Sequence, residues 1–174
     1  NNRPSITGRL ALSPNQTGEL GLSLHTGPYN TWEIDGLTVD AERDLTILVL
    51  DGEFSWWQLQ LMGEYATASI DVPKASSLLA DSQSGLYVQG NARFGDGWIA
   101  TLPKSEFTAV ARWGQVDFDT DVDGDSQDRL SLGVNLRPVP DTVFKLDYQR
   151  NWLQDRFNNE VESATLLFSV ATYF

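Results

Sequence analysis

The strongest constraint on this chain is a two-residue period. In residues 160–174 (EVESATLLFSVATYF), every second position from Ala164 through Leu166, Phe168, Val170 and Thr172 to Phe174 falls on one face. Thr165, Leu167, Ser169, Ala171 and Tyr173 fall on the other. Strands point successive side chains to opposite sides, whereas helices group residues three and four apart, so the segment is expected to be a strand. It holds no proline or glycine, is long enough to cross a bilayer at a tilt, and ends on an aromatic residue at the level of a membrane interface. A soluble domain rarely places its most hydrophobic strand at a chain end, where strands fray.

The same alternation recurs along the chain. Residues 5–12 set Ile6, Gly8, Leu10 and Leu12 against Thr7, Arg9 and Ala11, and residues 13–17 (SPNQT) have turn chemistry. Residues 18–26 place Leu20, Leu22 and Leu24 outward and Glu19, Ser23 and His25 inward. Residues 27–43 read as a long acidic surface loop. Residues 45–54 and 57–70 are strands joined around Ser55-Trp56; in the second, Trp57, Leu59, Leu61, Gly63 and Tyr65 oppose Gln58, Gln60, Met62 and Glu64. Phe54, Trp56 and Trp57 form part of an expected aromatic girdle. After a loop at 71–85 come strands at 86–94 and 106–118, the latter with Phe107, Ala109, Ala111 and Trp113 outward. An acidic loop at 119–128 precedes strands at 129–137 and 142–153, and 154–159 is the last loop. The pattern predicts an all-β, antiparallel up-and-down barrel domain over 1–174, with about nine strands, tight turns at one end and longer polar loops at the other.

Composition fits that reading. A hydrophobic content of 41 % and a mean hydropathy of -0.28 look soluble, but a transmembrane barrel needs apolar residues only on its outward face. No run approaches the 18 or so apolar residues of a membrane-spanning helix. There is no cysteine, so thiolate metal sites and disulfides are excluded. The formal net charge of -12 argues against a nucleic-acid partner, whose phosphates require basic residues. The sequence opens at Asn1 without a methionine or signal peptide, as expected of a mature product or a piece of a longer chain.

The terminal segment resembles the last strand of outer-membrane β-barrels of Gram-negative bacteria. That resemblance implies an outer-membrane location among lipid and lipopolysaccharide, with Phe174 as the signal read by the barrel assembly machinery. The opening Arg3-Pro4-Ser5-Ile6-Thr7-Gly8-Arg9-Leu10, the aromatic turn within 52–65 before Gly63-Glu64-Tyr65, and Tyr87-Val88-Gln89-Gly90 resemble the second half of the phosphate-selective porin O and P family. The implied protein is a porin of about sixteen strands, commonly trimeric, of which this chain is the C-terminal portion. It would pass small hydrophilic solutes or ions by passive diffusion, with no enzymatic reaction and no obligatory cofactor. The odd strand count leaves a second closure open, a small eight-stranded barrel with a structural or partner-binding role.

In a porin the chemistry lies in the pore lining. The alternation puts Arg9, Glu19, Glu64, Arg93, Arg112, Arg137, Lys145 and Asp147 on the lumenal side, with Asp51, Glu53 and Glu106. Arg93, Arg137 and Lys145 lie toward the periplasmic ends of their strands, and most excess acid lies in the outer loops. The lining lacks the dense basic ladder of phosphate-selective relatives, so phosphate specificity is not expected. These charges either pair across strands and keep the lumen wet or form a specific solute site. The loop from Asp119 through Asp121 and Asp123 to Asp125 has D-x-D-x-D-G spacing, which makes these four carboxylates candidate calcium ligands, with Asp128 as a further donor. The expected twelfth-position Glu is Leu130, and the alternative is a solvated acidic loop. His25, Ser23 and Glu19 share a face and raise a hydrolase triad, but residues two apart on a strand stand roughly 7 Å from each other, too far for direct nucleophile–base contact.

Overall fold

A computed structural model describes residues 3–73 and 79–173. Phe174, the implied assembly signal, lies outside the described residues. Among the described residues eleven strands run in chain order: β1 (Ile6–Asn15), β2 (Gly18–Pro28), β3 (Glu33–Ile34), β4 (Leu37–Thr38), β5 (Asp44–Trp56), β6 (Leu59–Ile70), β7 (Ser82–Phe94), β8 (Glu106–Asp117), β9 (Ser126–Val139), β10 (Thr142–Gln154) and β11 (Glu160–Thr172). Nine of them form one antiparallel sheet in the order β1-β2-β5-β6-β7-β8-β9-β10-β11, while β3 and β4 pair only with each other. The sheet is open. β1 and β11 are its edges, and no ladder joins them.

Pairing is in register over nearly the whole length of each ladder. Between β10 and β11 it runs from Thr142 opposite Thr172 to Gln154 opposite Glu160 without interruption. A register slip by one residue would carry every outward Leu and Phe to the polar side, so the side-chain pattern itself pins the pairing. This also decides the turn between β5 and β6. The bend falls at Trp57-Gln58 rather than Ser55-Trp56, because Trp56 pairs with Leu59 and joins Phe54 and Leu61 on the apolar face. Trp57 takes a left-handed backbone conformation (φ 54°) to close this turn. Its carbonyl accepts a hydrogen bond from Arg93 Nη2 at 3.2 Å.

Several boundaries differ from expectation. β7 begins at Ser82 and β9 at Ser126, earlier than the apolar pattern starts, because Ser82-Gln83-Ser84 and Ser126-Gln127-Asp128 are polar on both faces and carry no alternation. The 27–43 loop contains the β3–β4 hairpin, turned at Asp35-Gly36 with both residues at positive φ. Three of the connections at one end of the sheet are tight, at Gln16-Thr17, Trp57-Gln58 and Pro140-Asp141. The fourth, residues 95–105, is long and packs Trp98 against Phe94 and Phe107 at ring-centroid distances of 5.7 and 6.3 Å.

The sheet has almost no interior. Among the described residues Val143, at 8 % exposure, is the one buried hydrophobic side chain. The accessible surface is 12004 Å², against about 8500 Å² for a globular protein of this mass. Ladder hydrogen bonds and cross-strand side-chain pairs, not a core, hold the architecture together.

Candidate functional site

The register sorts the sheet into two chemically distinct faces. On the apolar face, Leu10 opposes Leu22, Leu22 opposes Leu50, and Leu50 opposes Tyr65, and the row continues through Leu86. At the far edge Phe144 opposes Val170, Leu146 opposes Phe168, and Tyr148 opposes Leu166. Leu166 and Phe168 are each 69 % exposed. Each strand carries four or five such outward positions, a band roughly 20–26 Å long at the strand rise of about 3.3 Å per residue. Aromatic residues mark its ends. Phe54, Trp56, Phe94, Trp98 and Phe107 lie at the tight-turn end, and Tyr65, Trp113 and Trp152 toward the other, where Trp113 and Trp152 lie 5.9 Å apart. Beyond that second belt the face becomes polar, with Arg150 donating to Glu162 at 2.6 Å and lying over the Trp152 ring.

The opposite face is polar and charged. All eight residues expected to line a lumen fall on it: Arg9 and Glu19 on β1 and β2, Glu64 on β6, Arg93 on β7, Arg112 on β8, Arg137 on β9, and Lys145 and Asp147 on β10. Asp51, Glu53 and Glu106 share it. So does Arg129, opposite Gly114 and Asn151, a residue at the start of its expected strand and outside the expected lining. Its even spacing from Arg137 on one strand was the signal. The face therefore carries six carboxylates and six cations, and the chain's acidic excess resides elsewhere.

These charges do not simply neutralise one another. Arg9 Nη2 donates to Asp51 at 2.8 Å and to Glu19 at 3.1 Å, and Ser13 also donates to Glu19. Gly21 makes this possible, since a Cβ there would stand 2.5 Å from the Asp51 carboxylate and 2.6 Å from the Arg9 guanidinium. Among the described residues the other five cations of the face are in no ion pair. Arg112 instead stacks on the Tyr87 ring, 3.8 Å from its centroid, and Arg129 donates to Asn151 at 2.6 Å. Glu53 accepts from Gln60, and Gln60 in turn accepts from Asn91. Polar concavities follow the same face. One of about 660 Å³ lies over Arg9, Glu19, Asp51 and Glu64, and another of about 650 Å³ lies over Arg93, Arg137, Lys145 and Asp147.

His25 does not meet Ser23 and Glu19 in a catalytic relay. Its Nδ1 shares a 2.8 Å hydrogen bond with Thr7 Oγ1, and Glu19 is held by Arg9 and Ser13. The four loop aspartates are also divided. Asp119, 4 % exposed, accepts a 2.5 Å hydrogen bond from Arg156 Nη2, and Asp125 lies 3.7 Å from Arg156 Nε. Asp121 is hydrogen-bonded to Asp81, which pushes its carboxyl above the ordinary aspartate value, with the charges of Asp81 and Asp119 adding to the rise. Among the described residues no three acidic, His or Cys side chains converge as a metal site. Arg156 draws two of the four candidate donors, Asp119 and Asp125, to its guanidinium, while Asp121 meets Asp81 instead. Asp128 belongs to the apolar face, opposite Trp152, away from the other four.

No protein-family model, characterised protein or solved structure matches this chain.

Proposed function

We propose that this chain is a lipid-embedded wall of an outer-membrane porin, with the apolar face toward the bilayer and the polar face lining a water-filled path. The observation that carries this reading is the coexistence of an exposed apolar band with a predominantly polar, charged opposite face on the same nine strands. Monomeric soluble proteins rarely expose contiguous apolar patches above a few hundred Å². A covering second sheet on the polar side would bury unpaired Arg, Lys and Glu at several kcal/mol each. Lipid on one side and water on the other satisfies both. The main strands are 10 to 14 residues long, enough for the roughly 9–11 residues of a tilted transmembrane strand.

The free ladders of β1 and β11 cannot remain bare in hydrocarbon, where each unpaired backbone group costs several kcal/mol. Additional strands therefore complete the barrel in this proposal. β1 and β11 run in the same direction, so joining them edge to edge would create a parallel pair. An antiparallel closure takes an odd number of further strands. Transport is passive diffusion, without a reaction.

The test is the intact mass of the protein isolated from outer membranes, followed by single-channel recording of the same sample in a planar bilayer. The proposal expects a mass well above that of this chain and large, stable openings. Membrane-extracted protein of this chain's own mass that produces no openings would overturn it.

A further inference from the structure

We infer that the polar face is built to favour amphoteric solutes, those carrying a cationic and an anionic group on one small molecule. This rests on the porin reading and narrows its substrate class. The six cations and six carboxylates of the face cancel in number but not in position. On the flank formed by β2, β5 and β6, Glu19, Asp51, Glu53 and Glu64 stand against Arg9 alone, itself on edge strand β1. On the flank formed by β7, β8, β9 and β10, the five ion-pair-free cations stand against Glu106 and Asp147.

The separation is sharpest along single register rows. One row runs from Glu19 through Glu53, Met62 and Gln89 to Arg112. The next runs from Asp51 through Glu64, Tyr87 and Gly114 to Arg129. Glu53 and Arg112 are three strand spacings apart, about 14 Å along the sheet, and Glu64 and Arg112 two, about 10 Å. The Arg112 guanidinium spans part of that gap by stacking on Tyr87, which stands opposite Glu64, yet among the described residues no ion pair joins the two flanks, and low-dielectric walls focus the field between them. The residues in between, Met62, Gln89, Tyr87 and Gly114, are neutral, and Gln89 and Tyr87 present polar groups. A lone anion gains on one flank what it loses on the other. A molecule bearing both charges gains on both when it lies across the path, its ammonium toward Glu53 and Glu64 and its carboxylate toward Arg112 and Arg129.

The experiment compares three solutes of similar size entering liposomes that contain the full-length protein: 4-aminobutyrate, butyrate and butylammonium, with neutral arabinose as the reference. The inference expects 4-aminobutyrate to enter at least roughly threefold faster than either singly charged solute. Replacing Glu53 and Glu64 by Gln should abolish that lead and favour butyrate over butylammonium. Replacing Arg112 and Arg129 by Gln should abolish it and favour butylammonium. Glu53, Arg112 and Arg129 are exposed, Glu64 is half-buried, all four lie outside ion pairs, and arabinose entry reports that each variant remains folded and open. Equal entry of all three solutes, or a ranking that neither pair of substitutions changes, overturns the inference while arabinose entry leaves the porin reading standing. No arabinose entry through the unsubstituted protein overturns both.

Discussion

Arg156 and Asp119, thirty-seven residues apart in the chain, form a 2.5 Å contact that locks two loops at the same end of the sheet. Arg156 lies in the β10–β11 connection and Asp119 in the β8–β9 connection. The contact is braced by backbone bonds from Asp125 N to Asp155 O at 3.1 Å and from Phe118 N to Asp125 O at 2.9 Å. Gly124 permits the close approach, since it holds φ at 96° and a Cβ there would stand 2.5 Å from the Asp155 carbonyl.

Replacing Arg156 by Ala should strand the buried Asp119 carboxylate and destabilise the folded protein by about 1–3 kcal/mol. Replacement by Lys should recover part of the loss, because one charged donor remains while the approach of Nε to Asp125 disappears. Urea unfolding of vesicle-inserted protein measures both. A loss within error of zero for R156A would show that the clamp contributes nothing to the fold.

The loops should respond to pH in two opposite senses. Asp121, hydrogen-bonded to Asp81, titrates above its unfolded value, so its folded form takes up a proton more readily; this contribution is gained as pH falls toward the carboxylate range and lost as pH rises through the raised value. Asp155, hydrogen-bonded by the Asn159 side chain and backbone and by the Phe157 backbone, titrates below its ordinary 3.8. Its contribution is present above 3.8 and lost as pH falls through the depressed value. Limited proteolysis of the 119–125 loop should therefore slow on mild acidification from neutrality and accelerate at more acid pH. D121N should remove the first effect and leave the second, and an unchanged profile in D121N would contradict the assignment.

Two neighbouring positions on β11 test the assignment of the two faces to lipid and water. Leu166 opposes Tyr148 in the apolar band, and Thr165 opposes Gln149 on the polar face. Leu166→Arg should cost about 2–4 kcal/mol in a bilayer, whereas Thr165→Arg should be nearly neutral. Equal costs at the two positions, measured by reversible unfolding in lipid, would remove the distinction between the faces.

Much of this architecture was readable from side-chain period alone. Wherever Leu, Phe or Trp alternates with polar residues, as from Leu59 to Tyr65 or from Ala164 to Val170, the strand and its facing follow directly, and the alternating charges share one face because parity is conserved along a ladder. The period fails where both faces are polar, so the first residues of β7 and β9 carry no strand signal, and Arg129 stands at the very start of the expected alternation. The turn at Trp57-Gln58 escaped notice because it depends on which register satisfies the whole ladder, not on turn-forming residues. The Arg156 clamp was illegible for a different reason. It joins two loops through contacts set by the stacking order of strands, and a D-x-D-x-D-G spacing looks the same whether its carboxylates meet a metal or a guanidinium. Pairing across strands is narrower than charge alternation suggests, with Arg9 the one polar-face cation in an ion pair among the described residues.

The chain's lack of cysteine makes the central claim directly measurable. Single cysteines placed in turn at each position from Ala164 to Val170, in protein residing in its native membrane, can be challenged with a membrane-impermeant thiol reagent. The two-faced membrane wall predicts labelling at Thr165, Leu167 and Ser169, and protection at Ala164, Leu166, Phe168 and Val170, where lipid-borne quenchers should reach an attached fluorophore. Uniform labelling along the strand, or protection that ignores the two-residue period, would contradict it.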